Sequence, residues 1–252
     1  MKKTFPANFS LLCALLMSTS QAQAARSEPL PVNPEFDQAM TLQPDSDNGR
    51  KLYRGCVACH GPEGWGTASG SYPQIAGQLY PVIIKQLADF RAGNRDNPIM
   101  RAFSTPRVLG DAQDIADIAG YISRLPMTAE NGKGPHRQNE ELGRRIYQED
   151  CEECHGKRGE GIADDVSPMV KGQHYNYLMR QFDWIRIAKR RNADKKMTKQ
   201  INGFSLSDEI AVLSYVANLK PLEEKLAPKG WANPDFPRFV REGTYLNISN
   251  GN

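Results

Sequence analysis

The chain has 252 residues, of which 39% are hydrophobic and 24% are charged, and its formal net charge is only +3. So small a charge does not indicate binding to nucleic acid, and the length suits two small globular domains. No stretch after the N-terminal segment is apolar over the roughly 20 residues that a membrane-spanning helix requires.

The first 24 residues, 1–24, have the pattern of a secretory signal peptide. Two lysines precede an apolar run from Phe9 to Met17, and Ala22-Gln23-Ala24 is a typical cleavage site. We expect the mature chain to begin at Ala25 and to have lost Cys13 with the signal. In a bacterium, such a protein is expected in the periplasm.

The rest of the sequence divides into two domains with flanking and connecting segments. We predict an N-terminal extension at residues 25–45 and a first domain at residues 46–127. A linker at residues 128–138 leads to a second domain at residues 139–220, and a C-terminal extension follows at residues 221–252. The linker is assigned from the cluster of Gly132, Gly134 and Pro135.

Both domains are predicted to be helical. In the first, Asp47 or Asn48 can cap a short helix that leads to Cys56, and Pro81 can open a helix that continues to Phe90. Apolar residues at a spacing of three or four mark a closing helix in each domain: Ile115, Ile118, Tyr121, Ile122 and Leu125, then Ile210, Leu213, Val216 and Leu219. Strands find little support, so the fold class is all-α.

Each domain carries one copy of the pattern CxxCH, as Cys56-Val57-Ala58-Cys59-His60 and as Cys151-Glu152-Glu153-Cys154-His155. This is the attachment signature of c-type haem, because two thiols one helical turn apart can bond the vinyl groups of one porphyrin while the adjacent histidine ligates the iron. We therefore predict two covalently attached haem c groups. A thioredoxin-like redox pair or a disulfide would leave both histidines unexplained, and the two pairs are far apart in sequence for a four-cysteine zinc site.

The two domains are tandem repeats of one unit. Counted from each motif histidine, the same residue type recurs at the same distance: Pro73 and Pro168 at +13, Gly77 and Gly172 at +17, Gln78 and Gln173 at +18, Tyr80 and Tyr175 at +20, Gln86 and Gln181 at +26. Upstream, Gly49 and Tyr53 recur as Gly143 and Tyr147, with one extra residue before the second motif.

The same register indicates the second axial ligand of each iron. Met100 and Met197 lie 40 and 42 residues after the two histidines, each just before the closing helix. Methionine is more often a core side chain than a ligand, but matching placement in both repeats favours ligation. Four competing candidates have no counterpart in the other repeat: Met127, Met169, His136 and His174.

With these residues in place, the region from about Gly49 to Leu219 resembles the dihaem cytochrome c4 family of class I cytochromes c. The resemblance is carried by Cys56, Cys59, His60, Gly61, Pro73, Gly77, Gln78, residues 89–93 and Met100, and by Cys151, Cys154, His155, Gly156, Gly159, Gly172, Gln173, Gln181 and Met197. It implies two tandem haem domains related by a pseudo-twofold axis. It also implies that the carbonyls of Pro73 and Pro168 accept the Nδ1 protons of the motif histidines. Residues 194–199 are closer to the cytochrome subunit of flavocytochrome c sulfide dehydrogenases.

These features predict an electron carrier and not an enzyme. Ligation by His60 with Met100, and by His155 with Met197, would fill both axial positions and raise the reduction potentials. The expected partners are redox proteins: an upstream dehydrogenase or membrane complex and a downstream oxidase or reductase. One alternative is the haem subunit of an oxidoreductase complex, for example one that oxidises sulfide or thiosulfate, and another is a dihaem peroxidase.

Two features of the sequence bear on partners. The aromatic and proline-rich tail at 231–239 could dock on another protein or wrap its own domain. Cations crowd around Met197 and acids around the second CxxCH: Lys189, Arg190, Arg191, Lys195, Lys196 and Lys199, against Glu140, Glu141, Glu149, Asp150, Glu152 and Glu153. Such runs usually form a solvated face, but on opposite edges of the second haem they would orient it towards an acidic partner.

Overall fold

The computed structural model describes Met1, residues 33–135 and residues 139–237, so the predicted signal peptide and His136 lie outside the described residues. The helices are α1 (Pro34–Thr41), α2 (Ser46–Tyr53), α3 (Val57–His60), α4 (Tyr80–Ala92), α5 (Pro98–Ser104), α6 (Pro106–Leu109), α7 (Ala112–Arg124), α8 (Glu140–Ile146), α9 (Glu152–His155), α10 (Tyr175–Arg186), α11 (Lys195–Gly203) and α12 (Leu206–Asn218). A π-helical turn (Tyr147–Cys151) joins α8 to α9, and a 3-10 turn (Glu223–Lys225) follows α12. These ranges contain no strand, which confirms the all-α prediction. None of their helices has the length and apolarity needed to span a membrane.

Local sequence explains where the first helices begin and end. The side chain of Asp45 accepts hydrogen bonds from the backbone N–H groups of Asp47 and Asn48 and so caps α2. The prediction that Asp47 or Asn48 caps this helix was wrong, because the backbone N–H groups of both residues donate to Asp45, which precedes the helix. Pro81 lies in the first turn of α4 as predicted, and that helix ends at Gly93, whose φ of 78° is left-handed.

Glycines allow the closing helix of each domain to cross the first helix closely. A Cβ atom at Gly49 on α2 would lie 2.2 Å from the carbonyl oxygen of Asp117 on α7. In the second domain, a Cβ at Gly143 on α8 would lie 2.3 Å from the carbonyl oxygen of Ala211 on α12. The two crossings occupy equivalent positions, so the repeat seen in the sequence is also a structural repeat.

The extra residue before the second motif is absorbed within a helix. Tyr53 is followed by Cys56 after two intervening residues, whereas Tyr147 is followed by Cys151 after three. The segment Tyr147–Cys151 forms the π-helical turn, in which one more residue is accommodated without breaking the helix. The tyrosines keep equivalent roles, since the hydroxyl of Tyr53 donates to the carbonyl of Gly61 at 2.7 Å and that of Tyr147 to the carbonyl of Gly156 at 2.5 Å.

The described parts of both extensions, residues 33–45 and 221–237, pack on the first domain. Helix α1 contacts α4 and α7, and Ala39 on α1 is fully buried. After the second domain the chain returns to the first. The backbone N–H of Met127 donates to the carbonyl of Lys225 at 2.7 Å, and the N–H of Ala227 donates to the carbonyl of Met127 at 2.8 Å. Phe236 then enters the core of the first domain, 4% exposed.

Candidate haem sites

One cavity of about 1370 Å³ is lined by both CxxCH motifs. Its wall is formed largely by apolar side chains of the first domain, among them Val82, Ile83, Phe90, Ile118 and Ile122, and of the second, among them Leu178, Phe182, Ile185, Val212 and Val216. A cavity of this volume in two domains this small indicates that a non-protein group completes part of each hydrophobic core.

The first motif places a neutral imidazole at the cavity. His60 ends α3 and is 6% exposed, and its Nδ1 lies 3.1 Å from the carbonyl oxygen of Pro73. Because a carbonyl only accepts, Nδ1 carries the proton and Nε2 keeps its lone pair. Burial lowers the pKa of His60, more than the Pro73 hydrogen bond raises it, so the ring remains neutral and able to ligate a metal.

The second motif repeats this arrangement. His155 ends α9, and its Nδ1 lies 2.8 Å from the carbonyl oxygen of Pro168. Burial again lowers the pKa of the histidine. The placement of Pro73 and Pro168 is therefore the one that the family resemblance implies.

The motif cysteines do not have the character of a redox pair. No disulfide joins the four motif cysteines, Cys56, Cys59, Cys151 and Cys154. Burial raises the pKa of Cys56 and of Cys151 to about 12, whereas the attacking cysteine of a redox CxxC pair has a lowered pKa. The described residues also contain no cluster of three or more His, Cys, Asp and Glu side chains of the kind a four-cysteine zinc site would require.

Both predicted methionines line the cavity. Met100 lies on α5, whose cap Asn97 accepts from the Met100 N–H at 3.2 Å. Met197 lies on α11, whose cap Asp194 accepts from the Met197 N–H, also at 3.2 Å. An asparagine or aspartate three residues ahead thus fixes the backbone at each methionine.

The competing ligand candidates have other contacts. Met127 is buried beside Gly77 and does not line the cavity. Met169 lines the cavity, but is 4% exposed and has no equivalent in the first domain. Both ring nitrogens of His174 are used, since Nε2 lies 2.8 Å from the carbonyl oxygen of Trp65 and Nδ1 lies 3.0 Å from the backbone N of Gly132.

Buried donors without a partner provide a test of whether haem fits this cavity. Among the described side chains, the buried Nε atoms of Arg95 and Arg190 and the Nε2 atom of Gln181 have no hydrogen-bond partner, and all three residues line the cavity. Burial, together with the neighbouring Arg95, lowers the pKa of Arg190 to about 9. Two buried guanidinium groups with unpaired Nε donors at one place call for carboxylates, and each haem carries two propionates.

These two arginines were not identified as site residues from the sequence, although the signal was available. Both lie 35 residues after their motif histidine, and the structure pairs them across the domain boundary in an isolated antiparallel bridge. From the sequence, Arg190 was assigned to the cationic cluster around Met197. The signal is that the two repeats carry an arginine at the same distance from the motif histidine, as they do for the glutamines and tyrosines.

Comparisons with known proteins place the whole arrangement in one family. The cytochrome c family model matches residues 46–126 and again residues 140–220. Cytochrome c4 from Pseudomonas aeruginosa is 33% identical over 183 residues, which cover 69% of this chain and 89% of the relative. The chain belongs to the cytochrome c4 family.

Two further comparisons concern an electron acceptor of thiosulfate dehydrogenase and a crystal structure of a cytochrome c4. The thiosulfate dehydrogenase electron acceptor of Stutzerimonas stutzeri is 28% identical over 198 residues, covering 71% of this chain and 90% of that protein. The crystal structure of reduced cytochrome c4 from Pseudomonas stutzeri matches with a TM-score of 0.60 and 26% identity, covering 70% of this chain and all of that one. The predicted tandem haem domains are thereby confirmed.

The cytochrome c4 homologue therefore carries two covalently attached haem c groups and transfers electrons between redox proteins. It is an electron carrier and not an enzyme in its own right, as predicted.

Proposed function

We propose that this protein is a periplasmic single-electron carrier whose two haems are each held by one histidine and one methionine. Cys56 and Cys59 attach the first haem and Cys151 and Cys154 the second. His60 with Met100, and His155 with Met197, are the axial ligands. The periplasmic location is inferred from the signal-peptide pattern of residues 1–24.

The observation that carries the proposal is the matched pair of histidine–proline contacts at one shared cavity. In each domain the Nδ1 proton is held by a proline carbonyl, which fixes the ring and leaves Nε2 for iron, and a methionine at an equivalent position lines the same cavity. When bound, haem supplies a one-electron iron couple, and a thioether ligand shifts it to higher potential by favouring the ferrous state. Arg95 and Arg190, which line the cavity at the domain boundary, would neutralise propionates of bound haem.

Replacing one methionine tests the ligand assignment. Met100→Ala should remove about half of the near-infrared methionine-to-iron band and let imidazole or cyanide bind one haem. It should also lower that haem's potential by a substantial part of the roughly 0.8 V range that axial ligands span. The measurement is a redox-poised absorption titration, and Met197→Ala should do the same for the other haem.

Met127→Leu is the matched control, because Met127 is buried outside the cavity. It should leave both spectra and both potentials unchanged. A Met100→Ala protein with an intact methionine band would disprove the assignment at that position.

The surroundings of the two methionines indicate different partner surfaces. In the first domain, the apolar side chains Ile99 and Phe103, on the same helix as Met100, are 57% and 43% exposed. In the second, exposed Lys195 and Lys199 flank Met197 on the same helix. The first face suits an apolar contact and the second suits an acidic partner.

The cationic and acidic clusters do not occupy opposite edges. Lys196 forms an ion pair with Glu153 at 2.5 Å, so the two clusters meet beside the second motif. Arg191 turns away to donate to the carbonyl of Gly93 in the first domain. Lys195 and Lys199 are both exposed on α11, so both can contribute to steering.

Electron transfer to small metal complexes tests this steering. Oxidation of the reduced protein by anionic hexacyanoferrate(III) should slow as salt is added, because exposed lysines attract the oxidant at low ionic strength. Lys195→Gln with Lys199→Gln should flatten that salt dependence, whereas Lys51→Gln on α2, also an exposed lysine, should change it little. A salt profile that is flat in the unmodified protein would contradict the idea.

A second role is favoured by relatives named as thiosulfate dehydrogenase electron acceptors, one of which matches over 90% of its length. In this role the chain receives electrons from a thiosulfate-oxidising enzyme. Purified protein mixed with such an enzyme and thiosulfate should then be reduced faster than with the enzyme and thiosulfate-free buffer, and at a rate that saturates with protein concentration. A slow reduction rate that rises linearly with protein concentration, without saturation, would leave only the general carrier role.

A further inference from the structure

Two glutamines join the domains through a crossed pair of contacts. Gln78 and Gln173 both lie 18 residues after their motif histidine. The side-chain amide of Gln173 accepts from the backbone N–H of Gln74 at 3.0 Å and donates to the Gln74 carbonyl at 2.8 Å. The amide of Gln78 accepts from the N–H of Met169 and donates to the Met169 carbonyl, both at 3.0 Å.

One of the two contacts of each glutamine, the hydrogen bond it accepts, falls on the peptide group that holds an axial histidine of the other domain. The N–H of Gln74 and the carbonyl of Pro73 belong to one peptide group, and that carbonyl accepts from Nδ1 of His60. In the same way, the N–H of Met169 and the carbonyl of Pro168 share a peptide group, and this carbonyl accepts from Nδ1 of His155. A glutamine of one domain is therefore linked to the histidine of the other through a single amide.

Hydrogen bonds in such a chain strengthen one another. A peptide group whose N–H donates to an acceptor carries more negative charge on its carbonyl oxygen, so its carbonyl accepts more strongly. A stronger acceptor at Nδ1 makes the imidazole a better electron donor to a bound metal. This donation stabilises the ferric state more than the ferrous state and so lowers the reduction potential. The first of these links is buried, with Gln173 8% and Gln74 4% exposed, so water screens it little. In the second link, Met169 is 4% exposed and Gln78 is half-buried.

We propose that Gln173 lowers the potential of the first-domain haem and Gln78 that of the second-domain haem, each acting across the domain boundary through the proline peptide. Both are positioning residues and do not touch iron. The proposal rests on the axial roles proposed for His60 and His155. It makes docking of the domains a determinant of both potentials, since separation would remove both glutamine acceptors together.

The test is a crossed pattern of potentials in the holoprotein. Gln173→Met keeps the side-chain length and removes the acceptor, so the potential of the first-domain haem should rise more than that of the second. Gln78→Met should give the reverse. The two haems are followed separately by haem-methyl proton NMR of the oxidised protein during redox titration, with signals assigned from Met100→Ala and Met197→Ala.

A second readout reports the hydrogen bond directly. In the reduced, diamagnetic protein, the Nδ1 proton signal of His60 should move upfield in Gln173→Met, as expected for a weaker hydrogen bond. Gln173→Glu, which retains an acceptor oxygen for the Gln74 N–H, should not raise the first potential. If it raised that potential as Gln173→Met does, the acceptor would not be responsible.

Gln74→Met is the matched control. The Gln74 side chain also joins the domains, donating to the Gly172 carbonyl at 2.5 Å, but it does not contact the N–H of a proline peptide. It should weaken the interface without the crossed shift. Equal shifts in Gln74→Met and Gln173→Met, or shifts confined to the mutated domain, would overturn the proposal. Methionine–iron bands that are absent from the unmodified protein would instead refute the axial assignment on which it rests.

Discussion

His174 connects three parts of the chain through its two ring nitrogens. It is 2% exposed, its Nε2–H donates to the carbonyl of Trp65 in the first domain, and its Nδ1 accepts from the backbone N–H of Gly132 in the linker. Only the neutral ring can do both, because a protonated Nδ1 would face another N–H. Burial accordingly lowers the pKa of His174, and nearby Lys133 lowers it further.

This histidine should make the domain contact sensitive to acid. Its pKa is lower when folded than when unfolded, so its contribution to stability is present above about pH 6.5 and is lost as the pH falls through the folded pKa. The loss is about 1.4 kcal/mol for each unit by which the pKa is lowered. We expect the melting temperature of the holoprotein to fall more steeply between pH 7 and pH 5 than that of His174→Gln. Parallel pH profiles would show that His174 does not titrate in this range.

At the scale of helices, the glycine crossings should be intolerant of any side chain. Gly49→Ala would place a Cβ 2.2 Å from a backbone carbonyl of α7, which must move to make room. We expect this change to cost about 3 kcal/mol of unfolding free energy, at the upper end of what overpacking usually costs. Thermal unfolding of the holoprotein, followed at the haem absorption, is the measurement.

Gly203→Ala provides the control at the end of α11, since a Cβ there meets nothing within 4 Å. It should be neutral or stabilise by up to about 1 kcal/mol, because alanine has the higher helix propensity. A Gly49→Ala protein as stable as Gly203→Ala would show that α2 and α7 can separate without loss.

The helices illustrate which parts of the fold a sequence reveals. Helices α4 and α7 were predictable, because Pro81 and an apolar stripe after Asp111 are local signals. The π-helical turn was visible only as one extra residue before Cys151, since nothing in the residues Tyr147 to Cys151 distinguishes a π-turn from a longer loop. Helix α1 was not predicted, although Asn33 caps it and Pro34 begins it, because it lacks a clear apolar stripe and is stabilised by packing on α4 and α7.

At the scale of the whole molecule, the haem-attachment pattern predicted the two haem sites, and the family resemblance implied the histidine–proline contacts, but neither showed what joins the domains. Each histidine–proline contact joins two residues of one repeat at the same spacing, and the family resemblance implied it. The interface residues Arg95, Arg190, Gln78 and Gln173 also lie in register, yet their contacts cross between repeats, and no spacing within one repeat shows which partner they meet. Pairing between repeats is a tertiary property, set by the packing of both domains around one cavity.

The tail shows the same dependence on tertiary structure. It follows the second domain in sequence but packs on the first, where Trp231 lies 5.8 Å from Trp65 between ring centroids. Asn233 donates to the carbonyl of Pro62 at 2.7 Å, and Asp235 accepts from the hydroxyl of Tyr121 at 2.8 Å. Residues 231–237 thus bind within the molecule and tie the end of the second domain to the segment of the first domain that follows His60.

Phe236 should therefore stabilise a domain to which it does not belong in sequence. Its ring is 4% exposed and lies 5.8 Å from that of Tyr53, whose hydroxyl holds the carbonyl after His60. Phe236→Ala should lower the free energy of unfolding by about 3–5 kcal/mol, as is usual for a buried phenylalanine. It should lower the unfolding temperature of the first haem site more than that of the second. Haem-methyl NMR during heating resolves the two sites, and a chain ending at Pro237 is the control that keeps Phe236. Equal loss at both sites would mean that the domains unfold as one unit, whereas no loss at either would show that the tail contributes nothing to the fold.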